Sequence, residues 1–182
     1  CVASYCACGD ERAKAIAVVA AEKLSERFQE RSGFIQSGGK LDDPQSYKFI
    51  VDCLMNIPLL FWAAKETGYS RYFDIASTHL DTTIRHSIRE DGTSFHHFMF
   101  DYETGKPSHG HTFQGYSDDS CWARGQSWAV YGFPISYRYT GQERLIPLYK
   151  LVANCFLNKL PEDLVAYWDL VFQDGSGQPR DS

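Results

Sequence analysis

What most restricts the fold of this chain is a helical hydrophobic rhythm broken in three places by one short signal. Apolar residues recur at spacings of three and four over residues 13–28, 47–65, 72–88, 120–139 and 146–160, each run long enough to favour helix over strand. The signal is Gly9-Asp10-Glu11-Arg12, then Gly68-Tyr69-Ser70-Arg71, then Gly141-Gln142-Glu143-Arg144, its copies 59 and 73 residues apart. Glycine suits the left-handed residue that closes a helix, and the polar residues after it start the next one. Each signal therefore predicts the bend of a helical hairpin. Three hairpins predict an all-α chain, and hairpins repeated at this period build a toroid of inner and outer helices or an open solenoid. A closed toroid of six hairpins needs roughly twice this length. The expectation is thus one domain over residues 1–182, an incomplete α/α barrel truncated at both ends.

With 182 residues, 43% of them hydrophobic, the chain can bury a substantial core. A net charge of -5 and a pI near 5.6 leave no basic stripe, so neither nucleic acid nor an anionic membrane surface is an expected partner. A single Arg can still hold one carboxylate, because it dominates its own site while barely moving the pI. No apolar run approaches the roughly 20 residues that cross a bilayer. Cys1, Cys6 and Cys8 cluster near one end, and Cys53, Cys121 and Cys155 stand singly in apolar stretches. Without a Cys-x-x-Cys they are read as isolated thiols. Neither oligomeric state nor a cytoplasmic or periplasmic location can be read from these features.

Asp52 is the one ionisable carboxylate in the apolar run from Phe49 to Trp62. Desolvation raises a carboxyl pKa, which suits a general acid near neutral pH. Asn56, one turn further on, is placed to hydrogen-bond Asp52 or a substrate hydroxyl. The pattern alone favours a structural Asp that caps a neighbouring helix or pairs with an Arg. A second cluster runs from Gln114 to Trp128. There Arg124 and Trp128 stand one turn apart on one helix face, offering a planar cation for a carboxylate and an indole for the apolar face of a sugar ring. Gly110, Thr112 and Gln114 approach the same ligand from the preceding loop, the glycine giving close backbone access. A structural Arg–Trp stack fits the same residues. Ser117, Asp118 and Asp119 read as the N-cap and first turn of the following helix. His96-His97 and His109-Gly110-His111 match no helical two-His motif, so no metal and no cofactor are expected, and a neutral His donating to sugar hydroxyls is the better use. Along the long loop over residues 90–116, the stretches 89–96 and 100–107 read as short extended pieces around tight turns, expected to fold over the barrel mouth.

These residues resemble the unsaturated glucuronyl hydrolases, glycoside hydrolase family 88. Four segments carry the resemblance: residues 52–62 (DCLMNIPLLFW), 89–105 (REDGTSFHHFMFDYETG), 114–133 (QGYSDDSCWARGQSWAVYGF) and 161–182, with YWDL and DGSGQPRDS. The third is highly specific. The resemblance implies an (α/α)6 toroid and a small acidic oligosaccharide as substrate. It implies Asp52 as general acid/base, Arg124 and Trp128 as holders of the uronic ring, and His96, Gly110, Thr112, Gln114 and Trp122 as substrate contacts. The implied reaction hydrates the C4=C5 bond of an unsaturated uronate, so no second carboxylate need flank the anomeric carbon as in ordinary glycosidases.

Two departures stand out. The family pattern includes another essential Asp, upstream of the stretch matching residues 1–9, and this chain lacks it; the 182-residue piece is therefore expected to be inactive alone. Ser37-Gly38-Gly39 stands where the family often has an aromatic residue after Phe34-Ile35-Gln36. A rhamnogalacturonyl hydrolase of family 105 and a non-catalytic sugar-binding toroid are the rival readings, and residues 114–128 point away from the first.

Overall fold

A computed structural model describes residues 1–180. Its helices are α1 (Val2–Cys8), α2 (Glu11–Ser25), α3 (Cys53–Thr67), α4 (Ser70–Ser87), α5 (Ala123–Thr140) and α6 (Leu145–Asn158). The three glycine signals all fall at helix ends. Gly9, Gly68 and Gly141 close α1, α3 and α5 with φ of 70°, 73° and 66°, and each donates its N–H to the carbonyl four residues earlier. A side chain is strained in this left-handed conformation, so glycine lets the chain turn directly into the next helix. The pairs α1–α2, α3–α4 and α5–α6 pack together as hairpins, and α3 also packs on α2 and α5, which makes it the central helix.

The core gathers around α3. Leu54, Ile57, Leu60 and Phe61 are at most 2% exposed, against Ala17 and Ala21 of α2, Ile75 and Leu80 of α4, and Ala129 and Phe133 of α5. At about 1.5–3 kcal/mol for each fully buried side chain of this size, these four outweigh the roughly 3 kcal/mol that a proline costs inside a helix. That is how α3 accommodates Pro58.

Two small antiparallel sheets modify the all-α expectation. Strands β1 (Phe28–Gln29) and β2 (Phe34–Ile35) pair with each other, while β3 (Lys48–Ile50), β4 (His97–Phe100) and β5 (Pro107–His111) form a sheet in that order. Phe49 lies opposite Phe98, Ile50 opposite His97, and His97 opposite His111. The helix expected from residue 47 thus begins only at Cys53. Tyr47, Phe49 and Val51 are buried in alternation with less buried neighbours, a strand rhythm that runs without a break into the helical one. The helix expected from residue 120 begins at Ala123 with Trp122 in the N-cap position. Ser117, Asp118 and Asp119 are therefore not its cap and first turn. They form a turn in the loop, where Asp118 Oδ1 accepts the Thr112 N–H at 2.7 Å. The cysteines are all unbridged.

Candidate active site

Asp52 sits where β3 passes into α3, at the N-cap position of that helix and not within it. The preceding residue fixes it to the loop strands, because Val51 donates its N–H to the His96 carbonyl at 2.9 Å. The carboxyl is half-buried, and among the described residues Oδ2 has no hydrogen-bond partner. Burial pushes its pKa above the ordinary carboxylate value. Its own backbone N–H, the Trp128 indole and the Arg124 guanidinium act in the opposite direction, the indole falling short of hydrogen-bond geometry, and desolvation outweighs them. Asn56 is exposed at the edge of a cavity of about 70 Å³ shared with Gln36, Cys53 and His79, and it does not hydrogen-bond Asp52 Oδ2, which has no partner among the described residues.

The first turns of α5 supply the opposing wall. Arg124 and Trp128 share a face, and the Arg124 guanidinium lies 5.0 Å from the centre of the Trp122 ring. Between them Gln126 points away from the site and donates to the carbonyls of Gly92 at 2.7 Å and Val152 at 3.1 Å, which fixes the rotation of the helix. His96 continues the aromatic wall, its ring 4.4 Å from that of Trp122. Nδ1 of His96 accepts the N–H groups of Phe113 at 3.3 Å and Gln114 at 3.2 Å, so the ring proton resides on Nε2. Burial, reinforced by nearby His111, holds the His96 pKa down to about 4, and the imidazole is neutral at ordinary pH.

The remaining candidates belong to the loop. Gln114 is exposed beside His96, and the Thr112 hydroxyl accepts the Gly115 N–H at 2.8 Å. Gly110 lies in β5, and a Cβ there would overlap the Phe95 ring, so packing within the sheet already demands this glycine. The geometry gathers Asp52, His96, Trp122, Arg124 and Trp128 with the backbone of Gln114; Gly110 and Thr112 shape the loop behind them. Among the described residues no three His, Cys, Asp or Glu side chains converge as a metal ion requires. Asp181 and Ser182, which end the fourth resembling segment, lie outside the described residues.

Two residues that lie in the resembling segments, but to which the sequence reading gives no role, also shape the site. Arg89 ties the loop to its base, donating to the carbonyls of Ser94, Ser120 and Asp118. Asp169 is fully buried and accepts hydrogen bonds from the same loop. Only the YWDL segment hinted at Asp169, and no spacing rule singles it out.

The sequence model of Glycosyl Hydrolase Family 88 matches residues 1–175. The unsaturated chondroitin disaccharide hydrolase of Streptococcus pneumoniae is 54% identical over 182 residues, 100% of this chain and 46% of that protein. The crystal structure of unsaturated glucuronyl hydrolase from Streptococcus agalactiae superposes with a TM-score of 0.95 at 51% identity, covering 98% of this chain and 45% of that one. A substituted form of the same enzyme, complexed with dGlcA-GalNAc6S, superposes with a TM-score of 0.79 at 45% identity, covering 98% and 42%. The chain spans about half the length of the curated relatives it matches. A family match over nearly every residue, joined to a likeness in three dimensions across the candidate site, shows that the chain belongs to glycoside hydrolase family 88.

Proposed function

We propose that the whole protein releases saccharide from oligosaccharides ending in an unsaturated uronic acid, and that residues 1–182 supply one wall of its site. One observation carries this reading: a half-buried carboxyl with a raised pKa, Asp52, shares a site with a guanidinium and two indoles from the start of α5. Arg124 holds the uronate carboxylate through its planar fork, and Trp128 stacks on the ring. Neutral His96 donates from Nε2 to a sugar hydroxyl, and Gln114 offers its amide from the loop. Trp122, beneath the guanidinium, keeps that cation in place, while Gly110 and Thr112 set the loop's approach.

The protonated carboxyl of Asp52 transfers its proton to C4, and positive charge develops at C5 and the ring oxygen. The carboxylate then takes a proton from the water that adds at C5. The hemiketal so formed opens and expels the remaining saccharide, with one water consumed and Asp52 restored. A raised pKa serves the first step because it keeps the acid form populated closer to neutral pH. We further propose that the three hairpins belong to an (α/α)6 toroid, whose other hairpins lie in the half of the protein that the relatives have and these residues do not.

The test uses the full-length parent protein with chondroitin-type and pectin-type unsaturated disaccharides, following loss of the conjugated uronate absorbance. Asp52→Asn should lower turnover by about 10²- to 10⁴-fold, the usual worth of a positioned acid, while substrate binding persists. Unchanged turnover in the variant would sink the role of Asp52. Activity confined to the pectin-type end would move the specificity toward family 105.

A further inference from the structure

We infer that Asp169 is a positioning residue for this reaction: its buried carboxylate shapes the loop over residues 112–122 that carries the substrate-side contacts. The inference rests on the proposed function for its kinetic arm alone. Asp169 is 0% exposed. Oδ2 accepts the Tyr116 N–H at 2.9 Å and the Ser120 hydroxyl at 2.6 Å, and Oδ1 accepts the N–H groups of Cys121 at 3.3 Å and Val171 at 3.1 Å. Four donors thus converge on one acceptor-only group, which fills its lone-pair sites.

The same segment also grips the start of α5. Trp168 accepts the Ala123 N–H at 3.1 Å, and Leu170 donates to the Cys121 carbonyl at 2.8 Å. Asp169 therefore stands at the junction between the loop holding Thr112 and Gln114 and the helix holding Arg124 and Trp128. Gly115 lets the loop close over the carboxylate: a Cβ there would lie 2.6 Å from the Thr112 hydroxyl and 3.1 Å from Asp169 Oδ2. From the other side Arg89 holds the Asp118 and Ser120 carbonyls. The loop is hung between a buried acceptor and a partly buried donor, and only the acceptor touches its backbone N–H groups.

Asp169→Asn keeps the shape and removes half of the acceptor capacity. Whichever way the amide turns, its NH2 faces two of the four donors. In the full-length parent this should raise KM for an unsaturated disaccharide about tenfold with kcat within about threefold, the pattern of lost binding with the chemical step preserved. Amide exchange at Tyr116 and Cys121 should accelerate at least about tenfold, with α3 and α4 unchanged, since local opening is read at the amides it frees. Parental KM together with parental exchange in the loop would overturn the inference. Faster exchange throughout the molecule would also overturn it, by making Asp169 a residue of the general fold. If Asp169→Asn does not fold, Ser120→Ala removes one donor to Asp169 together with the hydroxyl's bonds to Ser117. Read at Tyr116 and Cys121, whose N–H groups Asp169 accepts, it should produce the same loop-confined change at smaller size, with parental values there overturning the inference. In a parent without turnover the proposed function falls separately, and the exchange measurement alone decides for or against Asp169.

Discussion

At the scale of single residues, the burial that suits Asp52 to give up a proton also makes its ionised form a burden on the fold. Its pKa lies above 3.8 in the folded chain because of desolvation, so between the two values the folded state binds more protons than the unfolded state. Stability then falls as pH rises through the folded pKa and stays lower at neutral pH. Asp52→Asn removes this titration while keeping the shape of the side chain. The variant should melt above the parent at neutral pH, with the difference vanishing below pH 3.8. Thermal denaturation across that range checks it. A parent at least as stable as the variant at neutral pH would mean that Arg124 and Trp128 favour the carboxylate more than burial opposes it. Asp52 stood out as a candidate in the sequence because a carboxylate in an apolar run is conspicuous, but the run alone also suits a structural Asp, and only Arg124 and Trp128 pointed to chemistry. Asp169 did not stand out. The loop donors that explain it, Tyr116 and Ser120, come from 53 and 49 positions away, and no local pattern registers a contact at that range.

At the scale of elements, the separation of α3 and α5 sets the width of the site, since one follows Asp52 and the other carries Arg124 and Trp128. Gly132 controls that separation. A Cβ there would come 2.5 Å from Leu54 Cβ and 2.8 Å from the Leu54 carbonyl oxygen. Alanine in a helix interior gains about 1 kcal/mol over glycine, whereas overpacking costs about 1–3 kcal/mol. Here a backbone oxygen cannot turn aside as a side chain can, so the clash wins. Gly132→Ala should lose about 1–2 kcal/mol in chemical denaturation and, in the full-length parent, should lower turnover by forcing Asp52 away from Arg124. A variant more stable than the parent would show that the two helices part without cost. The hairpins themselves were readable because a left-handed glycine cap is a local signal. The sheet of β3, β4 and β5 was not readable: β3 merges into the apolar run of α3, and β5, from Pro107 to His111, has no apolar pattern and owes its register to β4.

At the scale of the whole molecule, the described residues leave apolar side chains in solvent on more than one face. Ile16 and Val19 of α2 are 50% and 60% exposed, and Tyr131 of α5 is 53% exposed. Beside Tyr131, residues Val130, Pro134, Ile135 and Phe156 line an open hollow of about 420 Å³. Large exposed apolar surface on a folded chain marks a place where something packs. The relatives are about twice as long as this chain, and a toroid closed by further hairpins would cover such surface with their helices. We also propose, from the resemblance, that the full-length parent carries a second essential Asp in the part that these residues do not cover. The 182-residue chain made alone should therefore bind a hydrophobic dye or self-associate. It should also hydrolyse unsaturated disaccharides at least about 10²-fold more slowly than the full-length parent, the minimum worth of one missing acid–base group. Dye binding and sedimentation test the covering helices, and turnover tests the missing carboxylate, so the two halves of the argument fail independently. A monodisperse, dye-silent chain would mean that these hairpins are complete without neighbours. Full turnover from it would mean that Asp52, Arg124 and Trp128 are sufficient for the chemistry, with the second carboxylate needed only for binding.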